Sequence, residues 1–208
     1  PEVKPYEIED ARRLAETLAT VTRLTKDAQR ELAQADAMTS GLIELWDAAR
    51  YSEGLETARR QLAIRRRLLG EVSVDVSESL NELGLFLGAV GDYTGAERAL
   101  REALSIDRVT LGDSHPDLAM GLSNLGLTMY YRGNYREAER PLREALSIQR
   151  GVLGRDHPDT RFGLNNLAIC LSELGEFAEA EVLLRQSLVI QRRLEGDDAR
   201  DLPVALRN

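Results

Sequence analysis

The 208 residues suffice for one or two domains, and a hydrophobic share of 43% can bury a sizeable core, which argues against a disordered chain. Aromatic residues make up only 5%, a balance that favours packed helices over a β-sandwich and predicts an all-α fold. The net charge of −8 disfavours broad contact with phosphate backbones, so we expect no nucleic-acid partner unless a basic groove is hidden in the acidic whole.

The cysteine and lysine content indicates the compartment and the source of the chain. Cys170 is the only cysteine, so neither an intrachain disulfide nor a thiol cluster can form, which fits a reducing, cytoplasmic compartment. No run of 18 apolar residues occurs, so we expect no membrane span. Lys4 and Lys26 are the only lysines among 27 basic residues, an arginine bias common in GC-rich bacterial genomes. The chain starts at Pro1 without a methionine, which is compatible with an excised fragment or a processed product.

Residues 1–42 are predicted to form an N-terminal helical segment. Their apolar side chains alternate spacings of four and three, which predicts a seam along one helix face. The simpler interpretation is a helix that caps the first repeat; the alternative is a coiled-coil contact that makes a homo-oligomer. The residues of this seam that would join two copies are Leu14, Leu18, Val21, Ala28 and Leu32.

Residues 43–74 carry an incomplete version of a unit that recurs later in the chain. Tyr51, Ile64 and Leu69-Gly70 match the later units, whereas Gly54 stands where they have alanine. We therefore predict a degenerate first repeat.

Residues 75–198 contain three units of 42 residues, a period typical of helical arrays. The tripeptide His-Pro-Asp at 115–117 returns at 157–159, and Gly91, Gly133 and Gly175 recur in step. Because glycine adopts the left-handed conformation that ends a helix, each unit is predicted to be a helix A, a tight turn and a helix B. The predicted helices A lie near 75–90, 117–132 and 159–174, and the predicted helices B near 94–110, 136–152 and 178–194.

Two features of the units concern how these helices begin and pack. Pro158 suits a first helical turn, with Asp156 or His157 as its cap. Small residues at Gly84, Gly126 and Ala168 are predicted to let helix B approach helix A closely. One pair cannot bury both of its faces, so neighbouring pairs must stack. Residues 199–208 align with the start of a further helix A, so we expect a further repeat to begin there.

The repeats contain the segments LGRDHPDT, LNNLA, GEFAEAE and SLVIQRRLEG. With these segments, residues 43–208 resemble the long tetratricopeptide repeats of kinesin light chains and of bacterial multidomain proteins. The resemblance implies a right-handed α-superhelix, or solenoid, of antiparallel helix pairs. It also implies that the concave face, lined by helices A, receives a protein or peptide.

The resemblance also implies which group of a ligand the groove would contact. Members that clamp a C-terminal carboxylate carry lysine and asparagine at two groove positions, but the second position here is Leu85, Leu127 or Ile169. No cation is placed there to pair a carboxylate, so we expect no such clamp. The other position looks like the asparagine-lined groove of kinesin light chains, where an amide can bond an extended backbone.

The family geometry predicts that the groove is lined by residues on one face of helices A. Leucine and isoleucine would form an apolar floor, a tyrosine would anchor the ligand, and asparagine would fix its backbone. The alternative for each apolar residue is simple packing between helices A. The predicted set is Asn81, Leu85, Met120, Ser123, Leu127, Tyr130, Tyr131, Phe162, Asn165, Ile169 and Ser172.

Candidate catalytic and metal-binding residues are few. His115 and His157 occupy equivalent positions of stacked repeats, roughly 10 Å apart, which is too far to share a metal. Cys170 falls within the helix A pattern, where an inert buried thiol is the usual interpretation. No phosphate-binding loop or nucleophile elbow occurs. We therefore expect no enzyme activity, no cofactor and no metal. Arg108 and Arg150 recur at the ends of helices B, where a cation opposes the helix dipole.

The sequence thus yields two functional hypotheses. The first is a protein- or peptide-binding scaffold that belongs to a larger bacterial regulatory protein. The alternative is an architectural module that assembles through the N-terminal seam or the ends of the array. The sequence does not identify the partner.

Overall fold

The computed structural model describes residues 4–195, which form nine α-helices and, over that range, no β-strand. The helices are α1 (Pro5–Arg23), α2 (Lys26–Asp47), α3 (Tyr51–Leu69), α4 (Val74–Ala89), α5 (Tyr93–Thr110), α6 (Pro116–Tyr131), α7 (Tyr135–Val152), α8 (Pro158–Glu173) and α9 (Phe177–Glu195).

Consecutive helices from α2 to α9 pack against each other and form four antiparallel pairs. Helices α2, α4, α6 and α8 are helices A, and α3, α5, α7 and α9 are helices B. The predicted all-α, right-handed α-superhelix of antiparallel helix pairs is confirmed. The predicted bounds of the last three pairs agree with the structure to within one residue.

Capping residues explain why helices A begin where they do. The Nδ1 atom of His115 accepts a hydrogen bond from the backbone amide of Asp117 at 3.1 Å, and His157 accepts one from Asp159 at 3.2 Å. Each histidine therefore satisfies an amide that has no acceptor within the helix. Of the two caps predicted for α8, the structure has His157.

The first helix pair begins earlier than the sequence pattern suggested. The predicted boundary between residues 42 and 43 falls inside α2, which packs along α3 as a helix A. Its buried residues Leu32, Ala35 and Leu42 provide the contact. The N-terminal seam is not one continuous helix, because the hydroxyl of Thr25 accepts the amide of Ala28 and starts α2.

Helix α1 lies along the edge of the array, where helices B end and helices A begin. The Nζ atom of Lys4 donates to the carbonyl of Val152 at 3.3 Å, and Asp10 Oδ1 lies 3.1 Å from Nε2 of His115. These edge contacts are polar, whereas Leu14 and Leu18 are 63% and 56% exposed. Two of the five predicted seam residues thus face solvent, whereas Leu32 is buried on α2.

Close approach of paired helices depends on glycine residues of helices A, as predicted. A Cβ atom at Gly84 would lie 2.7 Å from Cγ of Leu100, and one at Gly126 would lie 2.5 Å from Cγ of Leu142. Both distances are shorter than a carbon contact allows, so the leucine of helix B occupies the space that a side chain on helix A would fill.

Arginines near the ends of helices B also link neighbouring pairs. Arg66 bonds Glu102, Arg108 bonds Glu144 at 2.5 Å, and Arg150 donates to the amide oxygen of Gln186 at 2.7 Å. Each bond joins one helix B to the next one. The position of Arg108 and Arg150 near a helix end was predicted, but Arg66 and the bridging were not.

Glycine at position 54 has a packing cause. A Cβ atom there would lie 2.0 Å from the ring of Phe86, which is buried against Trp46 at a ring distance of 5.5 Å. The ring fills the space that alanine takes in the later repeats. The first repeat is therefore adapted to an aromatic side chain.

Gly54→Ala is expected to destabilise the protein by about 1–3 kcal/mol, because the Phe86 ring must move within a packed core. Gly41→Ala is the matched control, since nothing lies within 4 Å of its Cβ position in α2. That change should be neutral or should stabilise by up to about 1 kcal/mol. Urea unfolding of both variants measures this, and an unchanged midpoint for Gly54→Ala would contradict the packing argument.

Candidate functional site

The four helices A form one continuous surface, here called the concave wall. Helix α6 contacts α4 on one side and α8 on the other, so helices A touch one another directly. Neighbouring helices B are bridged instead by long arginine side chains. Helices A therefore lie on the inner, shorter side of the curve.

An apolar row crosses the concave wall, with one residue on each helix A. Leu85, Leu127 and Ile169 were predicted for this row, and the first and last of them are 38% and 45% exposed. Leu127 is half-buried. Ile43 on α2 holds the same place and is 61% exposed. It was missed because the first repeat was expected to begin at residue 43.

A second row lies two helical turns earlier on the same helices. Met120 and Phe162, both predicted, are about half exposed. The corresponding residues of the first two pairs are Asp36 and Glu78, which were not predicted. This row is thus acidic on α2 and α4 and apolar on α6 and α8.

The predicted polar row is only partly accessible. Asn81 and Asn165 are half-buried, but Ser123 is buried and its hydroxyl has no hydrogen-bond partner. Asn124, the next residue, is half-buried, and its side-chain amide donates to Oδ1 of Asn81 at 3.1 Å.

The predicted aromatic anchors lie where helix α6 ends. Tyr131 is 64% exposed and stacks on Tyr93, with ring centroids 6.5 Å apart. Tyr130 is half-buried and packs against Tyr131 and Tyr135. Tyr131 is therefore the more accessible of the two. On α8, the hydroxyl of Ser172 donates to the carbonyl of Ala168 within its own helix.

An arginine with several acidic neighbours lies behind the first half of the wall. Arg65 of α3 is only 4% exposed. It donates to Asp36 Oδ1 at 3.0 Å and to Ser79 Oγ at 2.9 Å, and it lies 3.7 Å from Oε2 of Glu78. One oxygen of Glu82, Oε2, is buried without a hydrogen-bond partner. This group was not predicted, because charged side chains on a helix surface are usually solvated.

The shape of the wall changes the acidity of these carboxyl groups. Although 57% of the Glu78 side chain is exposed, protein surrounds its carboxyl in the concavity, and this burial raises the pKa of Glu78 to about 7. Arg65 lowers that pKa, while Asp75, Glu82 and Asp117 raise it. Burial also raises the pKa of Glu82. Both groups therefore hold a proton more readily than an ordinary glutamate.

The remaining reactive side chains lie apart from the wall. Cys170 is fully buried, and its Sγ lies 3.1 Å from the carbonyl of Tyr135. Burial raises the pKa of this thiol to about 11. Within residues 4–195, no three histidine, cysteine or carboxylate side chains are grouped so as to hold a metal ion. None of the described helices is both long and apolar enough to span a membrane.

Comparisons with known proteins agree with this architecture. The model of a family described as tetratricopeptide repeat matches residues 75–151 and 142–193, which is more than half of the chain. Among curated proteins, none matches the chain.

Solved structures share the fold at low sequence identity. A putative kinesin light chain from Podosopora anserina, with nearly identical TPR-like repeats, is 22% identical with a TM-score of 0.65 over 91% of this chain and 89% of its own. BtubC (BKLC) from P. vanneervenii is 22% identical with a TM-score of 0.65 over 71% of this chain and 59% of its own. The apo form of RapI is 18% identical with a TM-score of 0.70 over 92% of this chain and 66% of its own.

Glu78→Gln is expected to stabilise the protein at alkaline pH. The folded-state pKa of about 7 lies above the ordinary value of 4.5, so the stability linked to this proton is present below 4.5 and is lost as the pH rises through 7. After allowance for solvent screening, the gain at pH 8 should be about 1 kcal/mol, and it should vanish near pH 4. Urea unfolding at both pH values measures it; an equal effect at both would show that Glu78 titrates normally.

Cys170 is expected to be inert in the folded protein. Because the thiol is buried and its pKa is raised, a disulfide reagent such as dithionitrobenzoate should not react with it at pH 8. The same reagent should label it fully in guanidinium chloride. Rapid labelling without denaturant would contradict the assigned burial.

Proposed function

Because the chain belongs to the tetratricopeptide repeat family, we propose that it is a protein- or peptide-binding scaffold whose partner lies on the concave wall. The family is typically a non-enzymatic scaffold. The partner would be an extended peptide or a helix of another protein. The finer features of this function are argued below from the residues of the wall.

The observation that supports this proposal best is the apolar row. A single exposed leucine is ordinary on a protein surface, but a row of four at equivalent positions of four pairs is a continuous apolar surface. Such surfaces mark interaction sites. In this proposal Ile43, Leu85, Leu127 and Ile169 form the floor on which the ligand rests.

Polar and aromatic groups beside the row would orient the ligand. The amides of Asn81 and Asn165 can donate and accept hydrogen bonds, which suits the backbone of an extended segment. Tyr131 offers a large ring at low entropic cost, as interface anchors do. Among residues 4–195, no nucleophile, base and anion site come together, which favours binding over catalysis.

The cellular setting is part of the same proposal. The arginine bias supports a bacterial source, and a single, deeply buried cysteine suits the reducing cytoplasm. We place the scaffold within a larger regulatory protein.

A second candidate function is self-assembly through α1. Leu14 and Leu18 are each more than half exposed, so residues 4–195 leave this apolar part of the helix uncovered. If this face joins two copies, sedimentation velocity should show a dimer at micromolar concentration, and Leu14→Ser with Leu18→Ser should abolish it. A monomer at every concentration would leave the concave wall as the sole candidate.

The scaffold proposal predicts that Leu127→Ala combined with Asn165→Ala weakens partner binding about 30-fold, as loss of a hot spot does. The measurement is capture of partners from lysate by the protein and by the variant, read by mass spectrometry, followed by titration of the captured protein. Ile169→Ala should act in the same direction.

Arg140→Ala, on the exposed face of α7, is the matched control and should leave binding unchanged. Circular dichroism must show that helicity persists in all variants. If the wall variants bind as tightly as the unchanged protein, the partner does not use the concave wall.

A further inference from the structure

The charge of the concave wall is unevenly distributed along the array. On α2 and α4 the wall carries Asp36, Glu78 and Glu82, and the positions equivalent to the first two are Met120 on α6 and Phe162 on α8. The wall therefore has an acidic half and an apolar half. The apolar row runs through both.

Within residues 4–195, the acidic half of the wall is not fully neutralised. Arg65 is the cation that contacts it, and this guanidinium is already engaged by Asp36, by Ser79 and by the carbonyl of Asp75. Three carboxyl groups thus share one buried guanidinium. Asp36 and Glu78 keep 54% and 57% of their side chains exposed, so a cation of a ligand can reach both carboxylates.

We infer that the concave wall takes an extended protein segment with arginine or lysine at the end over α2 and α4 and with large apolar residues at the end over α6 and α8. This inference rests on the proposed function and adds the chemistry and polarity of the partner. An acidic segment would be repelled by the first half of the wall. A wholly basic one would leave Met120 and Phe162 uncovered.

The spacing of the helices sets the spacing of the ligand side chains. Neighbouring helices A lie roughly 10 Å apart, and an extended chain rises about 3.3 Å per residue, so one repeat corresponds to about three residues of ligand. Four helices A then accommodate about nine to ten residues. The cationic side chains should therefore lie about six residues from the apolar ones.

Proton uptake by the wall gives this inference a pH dependence. A ligand cation and a proton compete for the same carboxylate, so a basic ligand should bind more weakly at pH 6 than at pH 8. The charged groups that act on Glu78 come from three helices: Arg65 of α3 lowers its proton affinity, and Asp75 and Glu82 of α4 and Asp117 of α6 raise it. Asp36 of α2 shares the guanidinium of Arg65 with Glu78.

The test uses an array of ten-residue synthetic peptides. Each has two arginines at one end, two residues chosen from leucine, isoleucine, phenylalanine and methionine at the other, and serine or alanine between them. Both chain directions are included. The comparison set replaces each arginine with glutamate. Binding of the whole chain is read on the array, and the strongest peptides are then measured by fluorescence anisotropy in 50 mM salt.

The expected result is binding of arginine peptides at least about tenfold tighter than of their glutamate counterparts. Glu78→Gln with Glu82→Gln should weaken the arginine peptides about fivefold or more and leave the glutamate peptides unweakened. Glu56→Gln, the same change on the exposed side of α3, is the matched control and should have no effect. The pH preference should disappear in Glu78→Gln.

Three outcomes overturn the inference: equal or tighter binding of glutamate peptides, arginine peptides that bind the double glutamine variant unchanged, and no binding by any peptide. The Ile169→Ala variant separates this failure from failure of the scaffold proposal. If glutamate peptides bind and are lost in that variant, the wall is the site but its preferred charge is different. If peptides bind and Ile169→Ala has no effect, the apolar row is not the site.

Discussion

The structure depends on the contact between each helix B and the next helix A. A helix pair has apolar side chains on two faces and can cover only one of them itself, so the second face needs the following pair. At the centre of each such contact a polar residue of helix B meets a small residue of helix A. Arg65 meets Ser79, Asp107 lies 3.9 Å from the Cβ position of Gly121, and Gln149 lies 2.1 Å from that of Gly163. A larger side chain at the small position would separate the pairs.

The concave wall is a product of this stacking. Once a helix A has its own helix B on one side and the preceding helix B on another, its remaining surface can only face inward. Equivalent residues of successive helices A then form rows, and the character of each row follows from one position of the 42-residue unit. Ile43, Leu85, Leu127 and Ile169 form an apolar row in this way, although they are far apart in sequence.

Most of the fold could be predicted because its signals are local and repeated. Glycine turns, the His-Pro-Asp starts and the apolar period place the last three pairs to within one residue. The second pair starts without one of these signals, because Ser73 replaces histidine as the cap of α4. In the first pair, Gly54 stands where later repeats have alanine, which makes sense only beside Phe86. The break at Thr25 was hidden because the apolar spacing continues across it.

The site was predicted less completely, for physical reasons. Family geometry identified Met120 and Phe162 but not Asp36 and Glu78 of the same row, because a carboxylate on a helix is usually solvated. The raised proton affinity of Glu78 comes from burial of its carboxyl on the curved wall, and a sequence does not display that burial. Ser123 stands at the same position of its unit as Asn81 and Asn165, but its short side chain is buried, and that burial depends on neighbours in the fold.

The arginine links between helices B have a mechanical meaning. Because helices B lie on the outside of the curve, winding the coil more tightly draws them apart and stretches the bonds from Arg66 to Glu102 and from Arg108 to Glu144. The links therefore oppose tighter winding from the outer side of the array. Because salt screens exposed ion pairs, this opposition weakens as the ionic strength rises.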